Sequence, residues 1–290
     1  MLEEALERAH EILHRGTTTV EIKSGYGLSL EGELRLLRVA RQIGTLTPLN
    51  VRTTFLGAHA IPAEYKTRRQ AYIDLICEEM LPAVAAEGLA NYIDVFCDRG
   101  YFTPEETEYI LQKGLEYQLP AKIHANELGF TGGVQAGVKM GALSVDHLEH
   151  SGPEEIAALL GSETIPTLLP SVSFFLGLPY APARDMIAAG LPVALATDYN
   201  PGSSPGGSMP FVMSLACLQM KLLPEEALSA CTLNAARAMR LSHEVGSVEV
   251  GKRADLLITR PMEHLAAIPY SYASQVIDRV IAGGVLISRP

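Results

Sequence analysis

Short runs of apolar and β-branched residues alternate along the chain with longer stretches whose apolar positions recur at helical spacing. Thr17–Lys23 reads as a strand and Leu30–Ile43 as a helix. Val51–Leu56 reads as a second strand, Arg68–Glu87 as a helix and Tyr92–Cys97 as a third strand. Thr103-Pro104-Glu105-Glu106 then carries a helix start: a hydroxyl at the cap, proline at the first position and carboxylates in the first turn. Further strands are expected at Ala121–His124, Leu143–His147, Thr164–Leu168 and Val193–Thr197, with helices near Thr131–Met140, Pro153–Leu160 and Pro182–Ala189 between them. Apolar strands in strict alternation with helices imply a parallel sheet covered on both faces. Seven such units can be counted, one short of the eight that close a (β/α)8 TIM-type barrel of about 250 residues.

The last part of the chain follows a different pattern. Pro224–Met239 reads as one helix, and Gly246–Val250, Ala254–Ile258, Val276–Ile281 and Val285–Ile287 read as short strands of a small β appendage. The expected organisation is therefore a catalytic barrel domain over residues 1–240 and part of a small β-sandwich domain over 241–290. Asn200–Pro210, rich in Gly, Ser and Pro, reads as a loop. The opening residues form an acidic amphipathic helix without the basic start or cleavage pattern of a signal peptide.

Composition narrows the function class. With 48% hydrophobic and 19% charged residues, the chain has the balance of a folded domain with a large core. A formal net charge of −10 without basic clusters argues against nucleic acid or an anionic membrane as partner. Cys77, Cys97, Cys217 and Cys231 form no CxxC pair, which suits a reducing cytoplasm and a role as small core residues. These features favour a cytoplasmic enzyme acting on a small molecule.

In a parallel barrel the residues just past the strand C-termini line the active site. Those positions hold Lys23-Ser24-Gly25-Tyr26-Gly27, Gly57-Ala58-His59, His124-Ala125-Asn126-Glu127, Asp146-His147 and Asp198-Tyr199-Asn200-Pro201-Gly202-Ser203-Ser204. Each has a plainer use alone, since a histidine at a strand end often only hydrogen-bonds and an Asp or Asn there often forms a turn. Three histidines, a Glu and an Asp on one rim are the composition of a metal hydrolase, in which imidazoles and a carboxylate hold an ion with an open position for water. His150 stands close enough to Asp146-His147 to act as a support. His10 and His14 share a helix face without a third ligand, and His243 and His264 fall in the tail, so these four read as surface residues.

At these residues the chain resembles the imidazolonepropionases of the amidohydrolase superfamily. The resemblance rests on Lys23-Ser24-Gly25-Tyr26-Gly27-Leu28, Leu56-Gly57-Ala58-His59-Ala60, Asp94-Val95-Phe96-Cys97, Lys122-Ile123-His124-Ala125-Asn126-Glu127 and Ala196-Thr197-Asp198-Tyr199-Asn200-Pro201-Gly202-Ser203. Two tail stretches, Leu233–Ala236 and Gly246–Leu256, resemble the superfamily's C-terminal signature and say little about substrate. The resemblance implies hydrolysis of the ring amide of 4-imidazolone-5-propanoate to N-formimidoyl-L-glutamate, a step of histidine degradation. It implies one Zn or Fe ion per subunit on His124 and Asp198, with Glu127 and His147 as catalytic groups. It also implies a substrate pocket of Tyr26, His59, Glu127, Asn200, Gly202 and Ser203. Superfamily members often dimerise, so a homodimer is an open option. Another amidohydrolase, a deaminase or a dihydroorotase-like cyclic amidase, would share His124, His147 and Asp198.

One departure stands out. The resembled family ends its first barrel strand in His-x-His, which supplies two more metal ligands, and no His-x-His occurs in this sequence. An arginine that the family uses for the substrate also has no counterpart. The first strand here corresponds to that family's second, so the sequence reads as a chain without the family's N-terminal portion. On that reading the 290 residues alone hold metal weakly, catalyse poorly or not at all, and tend to aggregate.

Overall fold

The computed structural model describes residues 1–272 and 274–287, so residue 273 and the last three residues of the 241–290 assignment lie outside the described residues. The chain divides into two units, one of Val20–Leu46 and Val51–Thr164, the other of Met1–Thr19, Thr47–Asn50 and Ile165–Pro290.

In the first unit, β1 (Thr19–Lys23) and β2 (Asn50–Ala58), each apart from its first residue, are followed in chain order by β3 (Tyr92–Cys97), β4 (Ala121–Ala125) and β5 (Ser144–His147). The pairs β2–β3, β3–β4 and β4–β5 are parallel. Every residue of β3, β4 and β5 is buried, as expected of strands covered on both faces. Helices Leu30–Leu46, Pro104–Glu116, Gly133–Lys139 and Pro153–Leu160 fill the crossovers. The helix start at Thr103 forms as expected: the hydroxyl accepts from the Glu106 N–H (3.2 Å) and the Glu106 carboxylate accepts from the Thr103 N–H (2.8 Å). Phe55, Tyr72, Ile76, Met80, Ile93 and Ile110 are among the largest side chains closed off from solvent. The Arg68–Glu87 helix is a continuous run, but its middle, Leu75–Met80, widens into π turns between Arg69–Asp74 and Leu81–Ala86.

The second unit carries β6 (Ile165–Leu168) and β7 (Ala194–Leu195), also parallel, and an antiparallel sheet in the order β10-β9-β8. Its strands are β8 (Leu256–Thr259), β9 (Ile277–Ala282) and β10 (Val285–Ile287). Gly283 and Gly284, both at positive φ (58° and 82°), make the tight reversal between β9 and β10 that other residues adopt only with strain. Among the described residues, the units together supply seven barrel strands with their helices and one small sheet, the (β/α)8 type short of one strand.

Several expectations need correction here. Gly246–Val250 is turn rather than strand, with Val248 and Val250 exposed. The Pro224–Met239 helix is two, Pro224–Cys231 and Leu233–Ala238, because Thr232 leaves helical geometry (φ −121°, ψ −86°). Helices Pro170–Leu176 and Met209–Leu218 are additional to the expected elements; each carries a proline in its first turn, and the second begins inside the Asn200–Pro210 stretch that reads as a loop. Proline in the first turn starts a helix as readily as it ends one. No helix among the described residues is long and apolar enough to cross a membrane.

Candidate active site

The site in the first unit is built on the ends of its strands. β3, β4 and β5 pair so that Asp94 stands beside Lys122, Phe96 beside His124, and His124 beside Asp146. Paired positions share a face and residues two apart along a strand share it too, so these five side chains lie on one side of the sheet. Strict alternation would send His147, next after Asp146, to the opposite face. Instead its backbone leaves the strand at φ 86°, followed by Leu148 at 70°, and the imidazole comes to 5.4 Å from that of His124. A positive φ is uncommon in residues other than Gly, and such conformations gather at functional sites.

Phe96 lies among the site's rings, 5.8 Å from His59, 5.9 Å from His124 and 6.4 Å from His147 between centroids. Tyr26, largely exposed, lies 5.3 Å from His59. Burial, then the neighbouring His124 ring, pushes the His59 imidazole below its ordinary pKa. His147 stands between two carboxylates, its Nε2 3.4 Å from Glu127 and its Nδ1 3.5 Å from the buried Glu149. The Glu127 loop is held from three sides. Asp98 accepts the N–H groups of Glu127 (2.7 Å) and Leu128 (3.0 Å), His150 Nδ1 lies 2.9 Å from the Glu127 carbonyl, and Asn126 donates to the His150 carbonyl (2.7 Å).

The Lys23–Leu28 turn is organised by a residue outside the motif. Glu33, fully buried, accepts from the backbone N–H groups of Gly25 (3.0 Å), Gly27 (2.8 Å) and Leu28 (2.9 Å). Gly25 sits at φ 115°, where a Cβ would also press on His59 and on the Leu56 carbonyl, both at 3.1 Å. The glycines thus let the backbone wrap the carboxylate and present Tyr26 outward.

Beneath the rim lies a layer of charge. Lys23 Nζ contacts Asp94 (2.6 Å), Glu21 (2.9 Å) and Asp146 (3.1 Å), and Lys122 Nζ contacts Glu21 (2.8 Å). Ser144 donates to Asp146 (2.6 Å), and His124 Nδ1 lies 2.9 Å from Asp94. Burial alone would raise all three carboxyls. For Asp94, His124 and Lys23 more than offset it; for Glu21, Lys122 and Lys23 do so and hold it at about 2; for Asp146 the same two lysines hold it at about 2. Asp94, His124 and Asp146 bring ligand atoms within 4.8 Å of one another, a spacing that could hold a metal ion. The Lys23 ammonium already touches both carboxylates, so this trio is a charge-compensated support.

In the second unit, Asp198 takes φ 48° just past β7. Asn200 closes the loop behind it, donating to the Asp198 carbonyl (2.7 Å) and carboxylate (3.0 Å) while its own carbonyl accepts from the N–H groups of Gly202 and Ser203 (2.8 Å each). Ser204 donates to the Thr197 carbonyl (2.7 Å), pinning the loop to the strand end. Glu33, Asp98, Asp94 and Lys23 are supporting residues beyond those expected at the rim; no spacing marks Glu33 or Asp98, whereas Asp94 and Lys23 belong to the Asp94–Cys97 and Lys23–Leu28 motifs.

Strands of a (β/α)8 barrel with His124, His147 and a carboxylate-rich rim define a class, and a model described as the amidohydrolase family matches residues 5–287. A triazine hydrolase from Arthrobacter aurescens has the same fold (TM-score 0.78, 17% identity, covering 98% of this chain and 72% of that one). The chain belongs to the amidohydrolase family. Within it, an imidazolonepropionase from Flavobacterium johnsoniae is 52% identical over 285 residues, 98% of this chain and 69% of the relative's length. Another, from Flavobacterium psychrophilum, is 51% identical over 280 residues, 97% of this chain and 68% of its own length. The chain is thus a member of the imidazolonepropionase family and spans about 69% of that relative's length.

Proposed function

We propose that the chain carries the machinery for opening the ring amide of 4-imidazolone-5-propanoate to N-formimidoyl-L-glutamate, the cyclic-amide hydrolysis of histidine degradation. The observation that carries this reading is 52% identity to an imidazolonepropionase over 98% of the chain. The site geometry of the first unit supports it with the His147 imidazole and the Glu127 carboxylate 3.4 Å apart.

The reading assigns His124 and Asp198 as ligands of one Zn or Fe ion per subunit. His124 fits that role, because Nδ1 is engaged by Asp94 and Nε2 remains the nitrogen for a ligand. Imidazole nitrogen with carboxylate oxygen suits either metal. A bound divalent ion would act as a Lewis acid and bring the pKa of water down to about 7. The two assigned donors are fewer than the three protein ligands of most catalytic zinc sites.

The chain's own groups divide the remaining work. Hydrolysis adds hydroxyl to the ring carbonyl carbon and a proton to the departing ring nitrogen. Glu127 takes the proton from the attacking water and returns it to that nitrogen. His147 is assigned to donate to the ring carbonyl oxygen and so favours the developing negative charge; Glu127 and Glu149 lie on either side of its ring at 3.4 and 3.5 Å. Tyr26 and His59 hold the substrate from the first unit, and Asn200, Gly202 and Ser203 are assigned to hold it from the Asn-Pro-Gly-Ser loop. Residues 1–240 form the catalytic domain and 241–290 the small one, in a cytoplasmic enzyme.

The test measures imidazolone consumption and metal content together on the purified protein. Turnover, however slow, that rises with added Zn2+ or Fe2+ and vanishes in Glu127→Gln supports the assignment. Hydrolysis that survives Glu127→Gln, or a preference for an aminopurine or a dihydropyrimidine, overturns it. Stoichiometric metal with fast turnover overturns the weak-site expectation alone.

A further inference from the structure

We infer that Asp94, oriented by the Lys23 ammonium, is the positioning residue that sets the tautomer of His124 and turns its Nε2 away from the strand layer. The inference concerns a support beneath the proposed site, and it rests on the functional reading only in saying what Nε2 then meets.

A carboxylate can only accept, so the 2.9 Å contact between Asp94 Oδ1 and His124 Nδ1 places a hydrogen on Nδ1, and in the neutral imidazole that leaves Nε2 as the bare nitrogen. The other oxygen of Asp94 is taken by Lys23 at 2.6 Å, and an ammonium can only donate. Asp94 is therefore pinned by one donor on each oxygen. Lys23 is pinned in turn by Glu21 at 2.9 Å and Asp146 at 3.1 Å, so it cannot swing away to let Asp94 turn. The side chains of Asp94 and His124 are nearly inaccessible to solvent (0% and 8%), which leaves little room for water to substitute for any of these partners. A carboxylate that holds one ring nitrogen of a ligand histidine fixes its orientation and raises its basicity, and losing it costs roughly 10- to 100-fold in metal affinity.

This chain adds a feature that makes the inference sharp. In Asp94→Asn the amide has one acceptor and one donor end. Lys23 demands the acceptor end, so the amide N–H2 faces His124 Nδ1 and forces it to accept. The hydrogen moves to Nε2, the nitrogen that should be bare. Asparagine in place of a histidine-orienting aspartate is known to impose the wrong tautomer in this way. Removing the ammonium as well, in Lys23→Met with Asp94→Asn, frees the amide to turn its oxygen to Nδ1. It also leaves the cluster's net charge as it was, since one positive and one negative charge are lost together.

The experiment reads the tautomer directly, by long-range 1H–15N correlation on protein labelled with 15N-histidine at pH 8, with His124 assigned through His124→Gln. The wild-type protein should show hydrogen on Nδ1 and a bare Nε2. Asp94→Asn should show hydrogen on Nε2 and about 10- to 100-fold weaker Zn2+ binding by chelator competition. The double variant should return to the wild-type tautomer. An unchanged tautomer in Asp94→Asn, or no return in the double variant, overturns the inference. Should Asp94→Asn fail to fold, the wild-type spectrum still decides, because a hydrogen on Nε2 there overturns it too. The functional reading fails separately: if Zn2+ leaves the His124 Nε2 signal unmoved while Asp94→Asn inverts the tautomer, Asp94 positions His124 but His124 is not the ligand.

Discussion

Strands β3 and β4 bury every residue, whereas β8 and β10 leave most of theirs half or fully exposed. All the ionisable groups of the charge layer sit in β1, β3, β4 and β5, and none of the candidate catalytic groups falls in the antiparallel sheet. Burial is what makes the difference. A charged side chain on a half-exposed strand is solvated and needs no partner, while Asp94 and Lys122, at 1% and 2% exposure, are stable as ions only because other side chains replace water around them. Enclosure converts ordinary residue types into a fixed electrostatic support, and the open sheet cannot do so.

The largest expected effect comes from breaking that support. Lys23→Met removes the cation shared by Glu21, Asp94 and Asp146 and leaves three carboxylates facing one another. Removing one partner of a buried ion pair costs about 3–5 kcal/mol, to be read as a fall in the urea midpoint at neutral pH. A loss below about 1 kcal/mol, the range of exposed pairs, would mean that water reaches the cluster and that the contrast with the open sheet is false.

Acid should act on the same layer without mutation. Glu21 and Asp146, held at about 2, and Asp94, held lower still, release protons more readily folded than unfolded. Unfolded carboxyls titrate near pH 4, roughly, so their contribution is complete above that value. It is lost as pH falls from about 4 through 2, because protonation then favours the unfolded chain. Lys23 has the opposite sign: its raised pKa gives a contribution present below the ordinary lysine value of about 10.4 and lost only above it. Unfolding free energies measured between pH 2 and 6 should show this slope, and Asp146→Asn should flatten it. An equal slope in the variant would place the acid lability elsewhere.

A smaller effect belongs to Glu33. Its three backbone donors lose a charged acceptor in Glu33→Gln, and the amide's N–H2 end faces at least one of them. The expected cost is about 1–3 kcal/mol, with faster amide exchange at Gly25, Gly27 and Leu28 as the local signature. Exchange unchanged at those three amides would show the cage to be incidental.

The same contrast explains what could be read from sequence. Seven strands and the rim residues were legible because burial on both faces writes an apolar run, and because His124, His147 and Asp198 come immediately after such runs. The charges inside the strands were harder. Glu21, Lys23, Asp94 and Lys122 alternate with apolar neighbours, and that pattern looks the same whether the polar face meets solvent or other charges. Glu33 was hidden in a helix whose acidic first turn already had an explanation in the helix dipole. The Gly246–Val250 run failed for the opposite reason. Its valines are β-formers locally, yet among the described residues no strand covers them, and local preference yields where no partner is supplied.

The least costly substitution probes the open side of the comparison. Leu286 pairs with Ile281 through the backbone ladder of β9 and β10, and the residue is 55% exposed. Leu286→Thr keeps the ladder intact and substitutes a β-branched residue of good strand preference, so the loss is confined to the minority of side-chain area that is covered. The expected change lies within about 0.5 kcal/mol, the range of surface substitutions, and the urea midpoint should stay within error of the parent. A loss above about 2 kcal/mol would mean that the outer face of β10 is covered in solution, where side-chain burial rather than the ladder would then carry its stability.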